Sequence, residues 1–179
     1  MDFTFTSEQH AFRRQVHQWF AEVMTPEYEL ELERRHDERG VLKAFSKRLA
    51  DQGWLTHAWP VEYGGGGKSH VEQAILNEAM GYWQAPNLAH IVGVELVGPT
   101  LMVHGTEEQK RRYLPPIARM EHVYAQGFTE PNAGSDVAAL QTRAVEQGDS
   151  YLVSGQKIWI GNAHIADLIY LAVRTDPTQ

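Results

Sequence analysis

The spacing of apolar residues changes once along this chain, near Val123. Before that point apolar residues recur at intervals of three and four, which is the spacing of one face of an α-helix. From Val123 onward apolar and polar residues alternate, and Tyr, Val, Ile and Thr become frequent, as is typical of strands. The change predicts an α+β chain, with an all-helical domain over residues 1–120 and a β domain over residues 121–179.

Three capping boxes mark helix starts in the first domain. In each, a Ser or Thr is followed three residues later by Gln or Glu, and the boxes begin at Thr6, Ser69 and Thr106. The charge-dense stretch 27–39 is interpreted as a solvated linker or helix face, and 54–67 as a loop. We predict helices from Thr6 to Met24, around residues 42–49, from Ser69 to Trp83, over 88–104 (buried, bent near Gly98) and from Thr106 to Pro115.

The second domain contains five candidate strands. Their alternating patterns cover residues 123–129, 141–146, 151–154, 156–160 and 168–174. These strands are few for a closed β core, and the sequence ends soon after the fifth. We therefore expect the chain to be a fragment.

Composition excludes several classes of function. The chain has 179 residues, with 23 acidic and 16 basic side chains and a formal net charge of −7. An acidic chain without a basic block is poorly suited to non-specific binding of nucleic acid or of an anionic membrane. Cysteine is absent, which rules out disulfides and thiolate chemistry. We expect neither a signal peptide nor a membrane span, and a cytoplasmic location.

The sequence lacks at least one required residue of each of three catalytic motifs. A P-loop ending in Gly67-Lys68-Ser69 would need Gly at position 62, which is Glu. The nine histidines form no HExxH pattern, and Ser135 lies outside a GxSxG elbow because position 133 is Ala. We therefore expect a flexible connector at the glycine run, no metal site and no serine nucleophile.

The stretch 128–137, FTEPNAGSDV, is the strongest candidate for a binding site. Its Pro, Gly and small residues suit a strand that ends in a tight turn, where exposed N–H groups can bind an anion. A structural corner is the alternative, in which Asn132 takes a positive φ. Trp159, at a strand end, either lies beside a planar ligand or packs in the sheet. The residues alone leave both pairs of alternatives open.

At these residues the chain resembles the acyl-CoA dehydrogenases. The resemblance is carried by FTEPNAGSDVAALQT and YLVSGQKIWIGNAHIADLIYLAVRT, with weaker support from GWLTHAWPVEYGGGG and HGTEEQKRRYLPPIARME. It implies an N-terminal all-helical domain followed by the start of an antiparallel β-barrel-like domain. It also implies FAD as cofactor, α,β-dehydrogenation of an acyl-CoA thioester in fatty acid and lipid metabolism, and an electron-transfer flavoprotein as acceptor. The assembly implied is a homo-oligomer (dimer or tetramer) or a hetero-oligomer.

The resemblance further implies which residues contact the flavin. Residues 126–135 line the isoalloxazine and pyrophosphate, with Phe128 and Thr129 at the pyrimidine edge. Gly134 and Ser135 bind phosphate, and Ser135 borders the acyl-CoA path. The implied FAD-binding residues are Gln126, Phe128, Thr129, Gly134, Ser135, Trp159, Ile160 and Gly161.

Two departures from the family pattern bear on function. Gly161 stands where the family commonly has Thr, whose hydroxyl reaches the flavin N5, and Asn132 replaces a common Gly. The family's catalytic base is a Glu of a C-terminal domain, so we nominate no catalytic residue here and expect the chain alone to be inactive. The alternatives are a non-catalytic subunit of a hetero-oligomeric acyl-CoA dehydrogenase, which Gly161 favours, or a flavin oxidase or monooxygenase on the same scaffold.

Overall fold

The computed structural model describes residues 4–35 and 38–176 and divides the chain into two compact units, Met1–Glu121 and His122–Gln179. The described part of the first unit is helical, and strands occur only in the described part of the second. The change in hydrophobic spacing near Val123 therefore coincides with the change in secondary structure, and the predicted fold class is confirmed.

The helical unit contains six α-helices and one π-helical segment among its described residues. At all three predicted capping boxes, the Ser or Thr side chain accepts a hydrogen bond from the third helical N–H, and that residue's side chain bonds back. Tertiary packing buries the predicted apolar stripes, for example Phe20, Phe45 and Leu76. The segments are α1 Ser7–Val23, α2 Pro26–Arg34, α3 Arg39–Asp51, α4 His70–Tyr82, the π-helix Val92–Val97, α5 Gly98–His104 and α6 Glu107–Ala118.

Residues 26–34 of the charged stretch after α1 form a helix, α2. Thr25 caps α2 by accepting a hydrogen bond from the Tyr28 N–H, and Pro26 occupies the first helical position. None of the α2 residues is buried. Up to Arg34 the structure shows a solvated helix face, one of the two interpretations, while residues 36 and 37 of the stretch lie outside the described residues.

The stretch 88–104 differs from its prediction as one buried, bent helix. A π-helix occupies Val92–Val97, and α5 begins at Gly98. The irregular part of the helix therefore lies before Gly98, where the bend was expected. Leu88, Leu96 and Val103 are exposed, Val103 to 73%. The burial prediction is wrong for these three side chains, because an apolar circumference is buried only where other elements cover every face.

The predicted end of the last helix at Pro115 is also wrong. Helix α6 continues through both prolines to Ala118. Proline removes one helical hydrogen bond and crowds the preceding turn. Here Leu114 and Ile117 are almost fully buried, and the Pro115 and Pro116 carbonyls accept bonds from the N–H groups of Arg119 and Glu121. Packing of this last turn offsets the local cost.

The second unit contains two separate two-stranded sheets among its described residues. Strands β2 (Arg143–Gln147) and β3 (Ser150–Ser154) form an antiparallel hairpin in the region of the candidate strands 141–146 and 151–154. Strands β1 (Tyr124–Gly127) and β4 (Leu168–Leu171) run parallel, so the antiparallel expectation does not hold for this pair.

The predicted strand over residues 156–160 does not form. Its one backbone contact with the turn region is the Ile158 N–H, which donates to the Thr129 carbonyl at 2.9 Å. Trp159 takes a positive φ, which breaks the alternation that a strand needs. The apolar alternation in this stretch therefore predicted the wrong structure.

Candidate functional site

A tight turn closes the stretch that follows β1. The Glu130 N–H donates to the Ala133 carbonyl at 2.8 Å, and the Ala133 N–H donates back to the Glu130 carbonyl at 3.2 Å. Pro131 and Asn132 form the exposed corner. Asn132 is not among the residues with a positive φ, so the prediction of a left-handed Asn132 is wrong. Pro131 presets the φ of an ordinary turn, which needs no left-handed residue.

Directly after this turn, Gly134, Ser135 and Asp136 present three consecutive backbone N–H groups. Within the ranges that the structure describes, none of the three donates to a protein acceptor. All three residues are exposed, and a Cβ built on Gly134 would meet nothing within 4 Å. A run of unpaired amides in open space is suited to bind an anionic group such as a phosphate.

Thr129 carries a further unpaired donor. The Phe128 carbonyl accepts a hydrogen bond from Lys157 Nζ at 2.9 Å. The peptide bond between Phe128 and Thr129 is trans, so the Thr129 N–H points away from that carbonyl. No acceptor for it occurs in the described part of the chain. Thr129 can therefore offer both its N–H and its hydroxyl to a ligand.

Trp159 has an unusual backbone and an unusual exposure. Its φ is 56°, a region that bulky residues rarely adopt, and its side chain is 87% exposed. Sheet packing, one of the two interpretations of this residue, is thereby excluded. Ile160 is half-buried, while Gly161 is exposed with open space around its Cα and no acceptor for its N–H among the described residues.

The remaining predicted site residues lie on or just after β1. Gln126 is half-buried and is paired in register with Tyr170 of β4. The Phe128 ring lies 5.2 Å from the Tyr170 ring, centroid to centroid. These contacts hold the start of the turn against β4, so the exposed amides project from a packed support.

Sequence reasoning missed the charged pair beneath this turn. Glu130 Oε1 lies 2.8 Å from Lys157 Nζ, and both side chains are more than nine-tenths buried. The Glu130 carboxylate also accepts bonds from the N–H groups of Gln141 (2.6 Å) and Thr142 (2.8 Å). Burial alone would raise the pKa of Glu130, but the bonds to Lys157 and to these amides lower it to about 2. A sequence signal exists only for Lys157, an isolated charge beside the apolar residues 158–160, whereas Glu130 stands among polar and turn-forming residues.

The glycine run of the helical unit is not a phosphate cradle. The N–H groups of Gly64, Gly65, Gly66 and Gly67 all donate to backbone carbonyls of residues 56–61. A Cβ on Gly65 would lie 2.1 Å from the Trp59 carbonyl oxygen. Glycine is needed here because two backbone segments approach closely, and the expected flexible connector is a closely bonded loop.

The helical unit also contains a cavity of about 670 Å³. Trp54, Trp59, Met80 and Val94 contribute to its walls, together with His90, whose Nδ1 lies 2.8 Å from Ser46 Oγ. None of the eight predicted FAD-binding residues lines it. Across the described residues, no group of three or more His, Asp or Glu side chains is arranged to hold a metal ion, and no helix has the length and apolarity to cross a bilayer.

Comparison with known proteins places the chain in one family. A family model of the acyl-CoA dehydrogenase N-terminal domain matches residues 6–121, and one of the middle domain matches residues 125–179. Acyl-CoA dehydrogenase FadE26 of Mycobacterium tuberculosis is 40% identical over 99% of this chain. The ChsE4–ChsE5 complex of Mycobacterium tuberculosis (TM-score 0.90, 39% identity) and the Tcur3481–Tcur3483 steroid ACAD (TM-score 0.87, 40% identity) match over 99% and 100% of it.

The chain spans less than half the length of these relatives. It covers 44% of FadE26, 45% of the matched chain of the ChsE4–ChsE5 complex and 46% of that of the steroid ACAD. The matches nevertheless extend along almost all of the present sequence and through both units. The chain belongs to the acyl-CoA dehydrogenase family.

Proposed function

We propose that these residues form the N-terminal helical domain, residues 1–120, and the first part of the FAD-binding middle domain, residues 121–179, of an enzyme that dehydrogenates acyl-CoA thioesters. The observation that carries the proposal is the run of unpaired, exposed amides at Gly134, Ser135 and Asp136, in a chain that belongs to a family of flavoproteins. The chain covers less than half of its relatives, so the activity is proposed for the longer protein that contains it.

The residues present fit FAD. The amides of Gly134 and Ser135 would bind the pyrophosphate, and the Ser135 hydroxyl would border the acyl-CoA path. The N–H and hydroxyl of Thr129 would meet the electron-rich edge of the isoalloxazine, with Gln126 and Phe128 beside it. When bound, the flavin accepts the hydride that leaves the substrate. Fixed N–H dipoles at Thr129 would stabilise the negative charge that then develops on the ring.

The second arm of the site would consist of Trp159, Ile160 and Gly161. The exposed indole of Trp159 offers an apolar face that would exclude water from one side of the isoalloxazine. Gly161 has no hydroxyl and would reach N5 with its backbone N–H alone. This difference from the common Thr supports a specialised member of the family.

One of the most similar structures favours a bulky, ring-containing acyl group. The Tcur3481–Tcur3483 steroid ACAD is 40% identical to this chain in a match that covers all of this chain and 46% of the steroid ACAD chain. We therefore propose a steroid-derived acyl-CoA as the substrate class, with an electron-transfer flavoprotein as electron acceptor and the cytoplasm as location.

The second candidate function is that of one subunit in a hetero-oligomer. Two of the similar structures, ChsE4–ChsE5 and Tcur3481–Tcur3483, carry two different protein names each. Together with Gly161, this favours a heteromeric assembly over a homo-oligomer. In that case a homologous partner would complete the flavin site or supply the catalytic side chains.

The test is made on the full-length gene product. We expect a yellow protein whose flavin absorbance bleaches under anaerobic conditions on adding a steroid-derived acyl-CoA, and less with a straight-chain acyl-CoA. Ser135→Ala should weaken FAD or substrate binding, whereas Ser150→Ala, an exposed hairpin serine, should not. A folded protein that stays colourless with added FAD would contradict the proposal. Colour that appears only on co-expression with a second homologous chain would favour the subunit function.

A further inference from the structure

We propose that the buried pair of Glu130 and Lys157 is a positioning device, which holds the two FAD-contacting segments, residues 128–135 and 159–161, in their binding geometry. The inference rests on the proposed function for its ligand. Both side chains are buried, whereas Gly134, Ser135 and Asp136 are exposed, so both are assigned as positioning residues and neither as a catalytic residue.

The first step is the position of the Lys157 ammonium. Lys157 Nζ donates to the Phe128 carbonyl at 2.9 Å and to Glu130 Oε1 at 2.8 Å. One side chain from the segment before Trp159 thus bonds both sides of Thr129. The Thr129 carbonyl in turn accepts the Ile158 N–H at 2.9 Å. The two segments are therefore joined by two hydrogen bonds and one ion pair.

The second step is the orientation of the Thr129 amide. Because Lys157 holds the Phe128 carbonyl, the trans peptide directs the Thr129 N–H to the opposite side. This is the donor proposed for the electron-rich edge of the isoalloxazine. Loss of the ammonium would release the carbonyl and let the peptide plane rotate, which would turn the donor away.

The third step is the strained backbone of Trp159. A tryptophan with φ of 56° and an 87% exposed ring carries a local conformational cost and gains little from burial. Such conformations persist only where the surrounding structure determines them, and they cluster at ligand sites. The anchoring of Lys157 and Ile158, directly before Trp159, supplies that constraint.

The fourth step concerns stability. A buried ion pair often adds little to stability compared with apolar side chains of the same volume, because both charges lose their hydration. Glu130 nevertheless keeps its charge and is satisfied by two amides besides Lys157. The pair and its hydrogen bonds join residues 128–130, 141–142 and 157–158 at defined distances. Because such an arrangement gains little stability, its role is best explained by the geometry that it imposes.

The experiment uses the full-length protein and compares Lys157→Met, Lys157→Arg and Glu130→Gln/Lys157→Met with wild type. Lys47→Met, which breaks an exposed ion pair with Asp51, is the matched control. The readouts are the FAD dissociation constant after reconstitution of the apoprotein and the reduction potential of the bound flavin, at a temperature where circular dichroism shows every variant folded. We expect Lys157→Met and the double variant to weaken FAD binding at least tenfold and to shift the potential, Lys157→Arg to retain part of the affinity, and Lys47→Met to match wild type.

Folded Lys157→Met and double variants with wild-type FAD affinity and potential would overturn the inference. Should Lys157→Met fail to fold because it leaves Glu130 buried and unpaired, the double variant decides, since it removes both charges. If wild type itself binds no FAD, the proposed function fails first. In that case the geometry of Trp159 is followed by the chemical shift of its indole ¹⁵N–¹H resonance, which is assigned by comparison with Trp159→Phe. The chemical shift should change in the double variant and stay the same in Lys47→Met. An unchanged shift in the double variant would overturn the inference.

Discussion

His90 and Ser46 form a buried polar contact in the helical unit. Ser46 is fully buried, His90 nearly so, and Ser46 Oγ lies 2.8 Å from His90 Nδ1. Burial lowers the pKa of His90 from 6.5 to about 4. The imidazole is therefore neutral at physiological pH, and its protonation opposes the folded state.

This pair predicts how the stability of the chain depends on pH. Between pH 6.5 and about 4, His90 binds a proton in the unfolded chain but not in the folded one. The free energy of unfolding therefore falls as the pH falls through this window, by about 2 kcal/mol from His90 alone between pH 7.5 and 5. Urea denaturation of wild type and His90→Gln across this range measures the difference.

His90→Gln should flatten the pH dependence by that amount, because glutamine does not titrate. His57, whose pKa is also lowered by burial, contributes with the same sign and stays present in both proteins. Equal slopes in wild type and His90→Gln would show that His90 is not held neutral.

Two glycines of the helical unit predict opposite effects of the same substitution. A Cβ on Gly98 would lie 2.1 Å from the Trp59 ring, whereas a Cβ on Gly81 would meet nothing within 4 Å. Gly98→Ala should therefore destabilise by about 1–3 kcal/mol through overpacking. Gly81→Ala should be neutral or stabilising by up to about 1 kcal/mol, because alanine is the better helix former. Urea denaturation followed by far-ultraviolet circular dichroism compares them, and equal effects would contradict the packing argument.

At the scale of elements, helix starts are where local sequence and structure agree most closely. The boxes at Thr6, Ser69 and Thr106 each form the reciprocal bonds that their sequences predict. All partners lie within three residues, so no tertiary information is needed to recognise them.

The Ser69 cap gives a direct test. Ser69→Ala should lower the free energy of unfolding by about 1 kcal/mol, because the Glu72 N–H loses its acceptor. Ser69→Thr keeps the hydroxyl and should cost only a fraction of that. Denaturation midpoints of the two variants measure the difference. If alanine and threonine cost the same, the hydroxyl is not the source of the stability.

Two of the elements that were predicted wrongly share one physical cause. Helix α6 passes through Pro115 because its last turn is packed, and residues 156–160 do not form a strand because Lys157 and Ile158 bond to the turn instead of to a ladder. Local pattern favours one conformation in each case, and contacts distant in sequence select another. Elements whose neighbours are close in sequence were therefore predictable, and these were not.

At the scale of the whole molecule, the two units differ in how well they bury their apolar residues. The helical unit has a continuous set of buried side chains, whereas the β2–β3 hairpin exposes apolar residues on both faces. A two-stranded sheet is only marginally stable in water unless another element covers one of its faces. The exposed hairpin residues are Val145, Tyr151, Leu152 and Val153.

This difference predicts hydrogen-exchange behaviour. In the 179-residue chain, amides of β2 and β3 should exchange at least tenfold faster than those in the middle of α3, since opening the hairpin exposes little additional apolar surface. In the full-length protein the same amides should be better protected if further strands cover the hairpin. Exchange followed by mass spectrometry on both proteins measures this. Equal protection of hairpin and α3 in the short chain would contradict the prediction.

The sequence by itself determined the two-part division, the capped helices, the hairpin and, through its resemblance, the family. These features depend on spacing within a few residues or on motifs that stay recognisable as letters. The tertiary structure decided which amides are unpaired at Gly134, Ser135 and Asp136, the strained backbone of Trp159, and the pairing of Glu130 with Lys157 across 27 residues. It could decide them because hydrogen-bond partners far apart in sequence leave no periodic trace, and only the folded chain brings them within bonding distance.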